Sequence, residues 1–540
     1  MAAREASAAL SGAVAQEEPA QVAATKGEAP LELADRRAGA VQWSPCEEDP
    51  ELSCGTLLVP ADPRRPGGER LSLAVIKAPA LGARKRGSVF VNPGGPGGSG
   101  VDLVLLAKSM FAELRRDFDI VSFDPRGTGR SHALSCEVVL PPQPSDSLES
   151  QAAFNDETGR RIAQSCRAQH GELPALMVTS NVARDLDLFR AALGESTINY
   201  LGYSYGTALG ATYATLFPSR VRAMVLDGNV PPQWFGDYLL ELDAEGSAGA
   251  ELALQSLDQR CRADAACPLR AAGVVATFDR VVARLDANPV AVEGGIIDGS
   301  VIRGGLFSAL YAESIWPLIV EVLALADAGN YEVFAPISPT PPTSITVPGG
   351  VAVVCGDSRT RRPGLDYLPQ QMAAKQLYPR FGGANFGDGI GACSAWPLTD
   401  LTPLVNAQTR NPIVLIGNDY DPATPLPWSR NMAAVLRPRA RLLRYQGGGH
   451  TIYGSGSACI DGAVNHYFRT LTAPPRGLTC PALPMVFSAG ASRRATAAAD
   501  GKTMAEVLAE VAPPRPMPTP RSLPGRSLPG RRALLGRSSK

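Results

Sequence analysis

Short apolar segments of strand type alternate with helical segments along most of this chain, and no other feature of the sequence restricts the fold as strongly. The strand-type segments are LSLAVIKA (71–78), GSVFVNP (87–93), DIVSFDP (119–125), INYLGYS (198–204), RAMVLDG (222–228), PIVLIGN (412–418) and RLLRYQG (441–447). Helical patterns occupy 103–116, 181–194, 206–218 and 429–438. Strand, helix and strand in succession predict an α/β fold with a mostly parallel central sheet and helices on both faces.

The alternation is interrupted once and fades at both ends. Residues 232–395 are long, helix-rich and carry their own cysteines, which predicts an inserted, mainly helical cap or lid. The insertion separates a first part of the core, 43–231, from a C-terminal part, 396–485. Residues 1–42 are interpreted as a signal remnant or a disordered segment, and 486–540, rich in Pro, Arg and Ala, as a disordered basic tail.

Charge and hydropathy exclude several classes of partner. The chain holds 52 Lys and Arg against 52 Asp and Glu, so its balance suggests neither nucleic acid nor an anionic membrane. It also lacks a run of uncharged apolar residues long enough to span a bilayer, and we expect no stable membrane insertion.

The cysteines indicate an oxidising compartment. None lies in a C-x-x-C pattern, and pairing of nearest neighbours would close five modest loops. Buried free thiols are the alternative, because sequence alone does not determine the connectivity of so many cysteines. The ten candidates are Cys46, Cys54, Cys136, Cys166, Cys261, Cys267, Cys355, Cys393, Cys459 and Cys480.

The amino terminus resembles the end of an export signal. ASAALSGAVA precedes QEE and offers Ala13-Val14-Ala15 as a cleavage site, but Glu5 interrupts a short apolar stretch that is poor in Leu. We therefore expect a secreted or extracytoplasmic protein whose signal is absent or truncated here. A cytosolic protein is the alternative.

One serine lies where a strand-type segment meets a helical one. Gly202 and Gly206 flank Ser204 in GYSYG, and a nucleophile on a sharp strand-to-helix turn needs strained backbone angles and small neighbours. The following helix directs its free N–H groups at the serine. The pattern predicts a nucleophilic serine, with a serine in an ordinary glycine-rich turn as the alternative.

A serine hydroxyl needs a base, and the chain has four histidines. In this architecture the acid and then the histidine follow the serine, which removes His132 and His170 from consideration. His466 lies in a helical pattern, where a surface or packing role is expected. His450 follows the last strand on the glycine-rich loop QGGGHTIYG and is the predicted base.

Two carboxylates follow the preceding strand in PIVLIGNDYDPATP. We favour Asp421, because D-P-x-T-P makes a turn directly after it, whereas Asp419 is expected to cap or to face solvent. Asp421 would hold the imidazole tautomer and stabilise the imidazolium.

The glycine run NPGGPGGSG (92–100) follows the strand GSVFV and predicts a site for an oxyanion. We assign its two N–H donors to Gly95 and Tyr205. A phosphate-binding loop is the rival interpretation, but G-x-x-x-x-G-K-[ST] is absent.

With these residues, the sequence resembles the secreted tripeptidyl aminopeptidase and prolyl aminopeptidase-like family of α/β-hydrolases from about 43 to 481. Several long stretches carry the resemblance: VNPGGPGGSG, DIVSFDPRGTGRS, NVARDLDLFRAALGESTINYLGYSYGTALGATYATLFP, VLDG, CSAWP, GNDYDPATP and GGGHTIYGSGSACIDGAVNHYF. It implies an α/β-hydrolase fold with a cap over the site, a triad of Ser204, Asp421 and His450, and cleavage near free peptide amino ends.

The predicted function is therefore that of a serine exopeptidase acting on peptides with a free amino terminus, with neither metal nor organic cofactor. Glu313 is one candidate for recognising the substrate ammonium group, and a solvated helix face explains it equally well. An esterase with the same triad, and a binding protein on the same scaffold, are the alternatives.

Overall fold

The computed structural model describes residues 39–487 apart from 84, 143–146, 236–237, 293–294, 338–342, 383–392 and 398–401. The expectations for 1–38 and for 488–540 lie outside the described residues. The strands are β1 (Gln42–Pro45), β2 (Ser53–Pro60), β3 (Arg70–Ala78), β4 (Ser88–Asn92), β5 (Asp119–Phe123), β6 (Ser135–Val139), β7 (Ile198–Tyr203), β8 (Val221–Asp227), β9 (Val290–Val292), β10 (Gly295–Ile297), β11 (Ser344–Pro348), β12 (Ile413–Tyr420), β13 (Ala440–Gly448) and β14 (Thr479–Cys480).

The α-helices alternate with these strands over much of the chain. They are α1 (Gly100–Ala107), α2 (Leu148–His170), α3 (Thr179–Ala192), α4 (Tyr205–Leu216), α5 (Tyr238–Ala263), α6 (Val274–Ala287), α7 (Gly299–Leu310), α8 (Trp316–Asp327), α9 (Gly349–Asp357), α10 (Leu368–Leu377), α11 (Leu426–Val435) and α12 (Ala458–Thr470). The helix predicted over 103–116 is wrong in its second half: α1 ends at Ala107, and the short 3₁₀ turns Lys108–Phe111 and Leu114–Arg116 follow.

A ten-stranded sheet of order β1-β2-β3-β5-β4-β7-β8-β12-β13-β14 forms the centre of the protein. The seven strands from β5 to β14 run parallel, and β1, β2 and β3 add an antiparallel edge. The α/β fold and its mostly parallel sheet are thus confirmed. Because parallel strands end at the same edge, the loops after β4, β7, β8, β12 and β13 meet there.

Two hydrophobic cores cover the two faces of the sheet. Along β4, Phe90 packs into one core, while Val89 and Val91 pack into the other, as the alternation of side chains along a strand requires. Helices α3, α4 and α11 contribute to the first core, and α1 and α12 contribute to the second. The predicted arrangement with helices on both faces is confirmed.

A third core lies in the long segment between β8 and β12. It gathers Leu254 of α5, Phe278 of α6, Leu306 of α7 and Trp316 of α8. Two later elements of the same segment pack elsewhere, since β11 pairs with β6 and Cys355 of α9 belongs to the first core of the sheet, whereas Phe381 returns to the third core. The boundaries 232–395 for a cap therefore stay a prediction.

All ten cysteines lie in disulfides between nearest neighbours in sequence. The pairs are Cys46–Cys54, Cys136–Cys166, Cys261–Cys267, Cys355–Cys393 and Cys459–Cys480. Five such bonds suggest an oxidising, extracytoplasmic compartment. Within the described ranges no single helix has the length and apolar composition to cross a bilayer, although α7 and Glu313–Asp327, bent by 119°, meet both conditions as a pair.

Candidate active site

Ser204 lies on a strained turn between β7 and α4. Its backbone has φ 54° and ψ −126°, which side-chain-bearing residues seldom adopt and which costs about 1–3 kcal/mol. The turn is secured on both sides: the Ser204 N–H donates to Asp227 O at 2.9 Å, and the Ser204 carbonyl accepts the Thr207 hydroxyl at 2.6 Å.

The flanking glycines are required by close approach of the main chain. A Cβ on Gly202 would collide with the carbonyl of Gly206, and a Cβ on Gly206 would lie 2.8 Å from Oδ1 of Asn92. This explains the spacing of GYSYG in mechanical terms, because any side chain at either position would push β7, α4 and β4 apart.

The glycine turn after β4 faces the serine. A Cβ on Gly94 would lie 2.9 Å from Cβ of Ser204 and 3.0 Å from the main-chain nitrogen of Tyr205. The turn is closed by the Gly98 N–H, which donates to Gly94 O at 3.0 Å, and the neighbouring Gly95 has φ +112°. Of the glycines in this turn, Gly94 is therefore the one whose Cβ would meet Ser204. The assignment of Gly95 and Tyr205 as oxyanion donors stays a prediction.

His450 and Asp421 lie together after β13 and β12. Nδ1 of His450 is 3.1 Å from both carboxylate oxygens of Asp421, whose side chain is 0% exposed. The turn that follows Asp421 holds its carboxylate, which accepts the N–H groups of Ala423 and Thr424, each at 2.8 Å, and the Thr424 hydroxyl at 2.9 Å. These three donors fix the orientation of the carboxylate toward the imidazole.

The alternative candidates for the acid and the base lie in different surroundings. Asp419 forms an ion pair with the exposed Arg444, with O–N distances of 2.5 and 2.7 Å. His170 ends α2 beside the carbonyl of Ser135, and His466 is exposed on α12.

Ser204 and His450 make no mutual hydrogen bond in the described part of the chain, where the hydrogen-bond partners of the His450 imidazole are Asp421 and Thr424. The two residues are nevertheless linked through the end of β8. A Cβ on Gly228 would lie 3.2 Å from Cε1 of His450, and the preceding Asp227 accepts the Ser204 N–H.

The loop of His450 is fixed by several long-range contacts. Asn418 donates its side-chain amide to the carbonyls of Gly449 at 2.9 Å and Thr451 at 3.3 Å. The His450 N–H donates to Tyr311 O at 2.6 Å, and the Tyr311 ring meets the imidazole edge to face with centroids 5.0 Å apart. These contacts leave the His450 imidazole little freedom to move.

Glu313, a candidate for ammonium recognition, has partners for both carboxylate oxygens. Oε2 accepts the Tyr445 hydroxyl at 2.7 Å, and Oε1 accepts the Gly448 N–H at 2.9 Å and pairs with Arg260 at 2.9 Å. Glu313 therefore ties the helical segment to the end of β13, two residues before His450.

Asp227 is the residue of this site to which sequence analysis assigned no role, although VLDG places an acid at the carboxyl end of a buried strand. It is fully buried, and burial raises its pKa to about 6.

Four buried side-chain atoms without a hydrogen-bond partner among the described residues lie at or near the carboxyl ends of β7, β8 and β12: Tyr203 Oη, Asp227 Oδ1, Asn229 Oδ1 and Asn418 Oδ1. No metal-like cluster of His, Cys, Asp or Glu was found within the described ranges.

Two family models and several curated proteins match this chain. A family model described as alpha/beta hydrolase fold matches residues 87–263, and one described as TAP-like protein matches residues 379–480. Serine protease Hip1 of Mycobacterium tuberculosis is 32% identical over 82% of this chain and 91% of its own length. Tripeptidyl aminopeptidase of Streptomyces lividans is 31% identical over 82% of this chain and 87% of its own. Carboxylesterase B of Mycobacterium tuberculosis is 32% identical over 79% of this chain and 86% of its own length.

Proposed function

Because this chain belongs to the α/β-hydrolase family, with a tripeptidyl aminopeptidase and a serine protease among its relatives, we propose that it is a serine exopeptidase that hydrolyses peptide bonds near free amino termini. That it is a serine peptidase-like hydrolase follows from its match to the TAP-like family model and from the relatives named serine protease and tripeptidyl aminopeptidase. The contact of His450 with Asp421 at 3.1 Å, beside the strained turn of Ser204, is the observation that supports the triad.

In this mechanism Oγ of Ser204 attacks the carbonyl carbon of the scissile bond while His450 takes the hydroxyl proton. The carbon–nitrogen bond then breaks, and the imidazolium gives its proton to the departing amine. Water, deprotonated by His450, attacks the acyl-enzyme and releases the acid and the free hydroxyl. The hydrogen bond between Ser204 and His450 forms as substrate enters, since such contacts are often long in unliganded enzymes.

The other groups support these steps. Asp421 keeps Nδ1 protonated and stabilises the imidazolium. The N–H groups of Gly95 and Tyr205 stabilise the oxyanion, each contributing about 3–4 kcal/mol at the transition state. The five disulfides support a location outside the cytoplasm. We assign residues 232–395 as a cap over the site.

Mass spectrometry of the products from a short peptide panel, with free and acetylated amino ends, tests the proposal. We expect free peptides to lose residues from the amino end and acetylated ones to resist. Equal cleavage of both sets would refute the exopeptidase assignment. A fluorophosphonate that failed to label Ser204 would favour a binding protein on this scaffold.

An esterase is the second candidate, and the 32% identity to a carboxylesterase favours it. Rates on a nitrophenyl ester series, compared with those on free-amino peptide anilides, separate the two. Strong preference for plain esters would select the esterase.

A further inference from the structure

Asp227 connects the nucleophile to the loop of the base. It is the last residue of β8, which lies between β7 and β12 in the sheet. Its carbonyl accepts the Ser204 N–H at 2.9 Å, and Oδ2 accepts the N–H groups of Ile452 at 3.0 Å and Tyr453 at 2.8 Å. One residue therefore holds both the turn of Ser204 and the loop that follows His450.

These hydrogen bonds do not require an acid. The amide oxygen of an asparagine could accept the same two N–H groups. Asp227 is 0% exposed, and Oδ1 makes no hydrogen bond with any described residue. A buried charge without full pairing is unfavourable, so the presence of a carboxylate here calls for a further explanation.

The imidazole of His450 provides that explanation. A Cβ on Gly228, the residue after Asp227, would lie 3.2 Å from Cε1 of His450 and 2.8 Å from Cγ2 of Thr451, so the main chain at the end of β8 abuts the imidazole. Burial is the main influence on the pKa of Asp227 and raises it, whereas the charge of the nearby His450 acts in the opposite direction, as expected for neighbouring groups of opposite charge.

We propose that Asp227 is a positioning residue that keeps Ser204 and the His450 loop in register, and that its buried carboxylate is a second negative charge for the His450 imidazolium, beside that of Asp421. The inference rests on the proposed function, because it takes Ser204 and His450 as nucleophile and base. It adds a carboxylate that touches neither substrate nor the serine hydroxyl.

The titratable groups facing Asp227 come from the ends of three strands of the sheet: Tyr203 at the end of β7, Asp421 after β12, and His450 after β13. Burial is the largest influence and raises the pKa of Asp227 to about 6, although the N–H donors to Oδ2 lower it and Asp421 raises it. The carboxylate is thus ionised at neutral pH and loses its charge as pH falls through about 6. Removing the charge disfavours the imidazolium and moves the acidic limb of the pH profile to lower pH.

The test uses the full chain with its disulfides intact and a fluorophosphonate, whose reaction does not depend on the preferred substrate. Asp227→Asn removes the charge and retains the acceptor for both N–H groups. Asp461→Asn is the matched control, because Asp461 accepts the Gly454 N–H at 2.9 Å and so holds the next residue of the same loop.

We expect Asp227→Asn to react about 10-fold more slowly at pH 8, with the midpoint of its acidic limb lower by about one pH unit. Asp461→Asn should keep the rate and midpoint of the unmodified protein. On a peptide substrate the fall should be in kcat, with KM changed less than about 2-fold, since the residue acts through His450.

Two different outcomes distinguish failure of the second-carboxylate inference from failure of the proposed function. An Asp227→Asn protein with unchanged rate and midpoint would overturn the second-carboxylate inference and leave Asp227 a purely structural anchor. Failure of the unmodified protein to react with the fluorophosphonate would instead refute the proposed function.

A second measurement covers the case in which Asp227→Asn does not fold, as judged by near-ultraviolet circular dichroism. The chain has only four histidines, so ¹⁵N-labelled histidine signals can be followed with pH in the unmodified protein. We expect the His450 signals to show an additional step near pH 6, from the titration of Asp227. Titration in a single step with no change near pH 6 would overturn the inference.

Discussion

Replacement of Glu313 distinguishes a structural tie from a substrate contact. The side chain is 11% exposed and that of its partner Arg260 is 22% exposed, so the pair is largely removed from water. Glu313→Ala would leave Arg260, the Tyr445 hydroxyl and the Gly448 N–H without their acceptor, and we expect the free energy of unfolding to fall by roughly 3–5 kcal/mol. Glu313→Gln retains one acceptor and the volume, and should cost about 1–2 kcal/mol.

The same replacement should reduce catalysis. Gly448 lies two residues before His450, and the His450 N–H donates to the carbonyl of Tyr311, two residues before Glu313. Loss of the carboxylate therefore loosens the loop of the base, and a displacement of about 1 Å can lower a rate about 100-fold. We expect kcat to fall by about 10- to 100-fold for every substrate, whatever its amino end.

Urea unfolding and initial rates on a free-amino anilide and a nitrophenyl ester measure the two effects. Asp286→Asn is the matched control, because Asp286 pairs with Arg303 at 2.6 Å on the exposed side of the same helical segment and should change stability by less than about 1 kcal/mol. The structural role of Glu313 would be refuted by a Glu313→Gln protein of normal stability whose KM rises for the free-amino substrate alone. That result would identify Glu313 as the ammonium site.

Three further predictions concern the site itself. Asp421→Asn should lower kcat by about 10⁴-fold through loss of the required tautomer, while Asp419→Asn keeps normal kinetics; equal losses would contradict the triad. Gly94→Ala places a Cβ 2.9 Å from Cβ of Ser204 at φ +92° and should abolish fluorophosphonate labelling, so normal labelling would disprove this close approach. Burial raises the pKa of Asp227 from 3.8 to about 6, so its ionised form lowers stability increasingly as pH rises from about 4 to 6 and by a constant amount above. Asp227→Asn should therefore gain about 2–3 kcal/mol at pH 8 and nothing at pH 4 in urea unfolding, and an equal effect at both pH values would rule out this titration.

The pattern of residues along the chain suffices to predict the centre of the sheet and the turn at Ser204. Strands such as β4 and β7 are buried on both faces, so each appears as an apolar run bounded by turn residues, and the observed bounds lie within one or two residues of the prediction. The turn at Ser204 is equally predictable, because G-x-S-x-G is a local pattern, although Gly206 avoids a collision with Asn92 of β4 rather than with a neighbour in sequence. Asp421 was preferred over Asp419 through a local turn, and the structure brings Asp421 to the imidazole of His450.

Which distant groups share the site depends on the folded arrangement of the chain. Asp227 meets the N–H groups of Ile452 and Tyr453 more than 220 residues away, and Glu313 meets Tyr445 and Gly448 across the boundary between the helical segment and the sheet. Such contacts depend on strand order, register and helix packing. No pattern within a dozen residues carries that information, because the partners become neighbours only when the chain has folded.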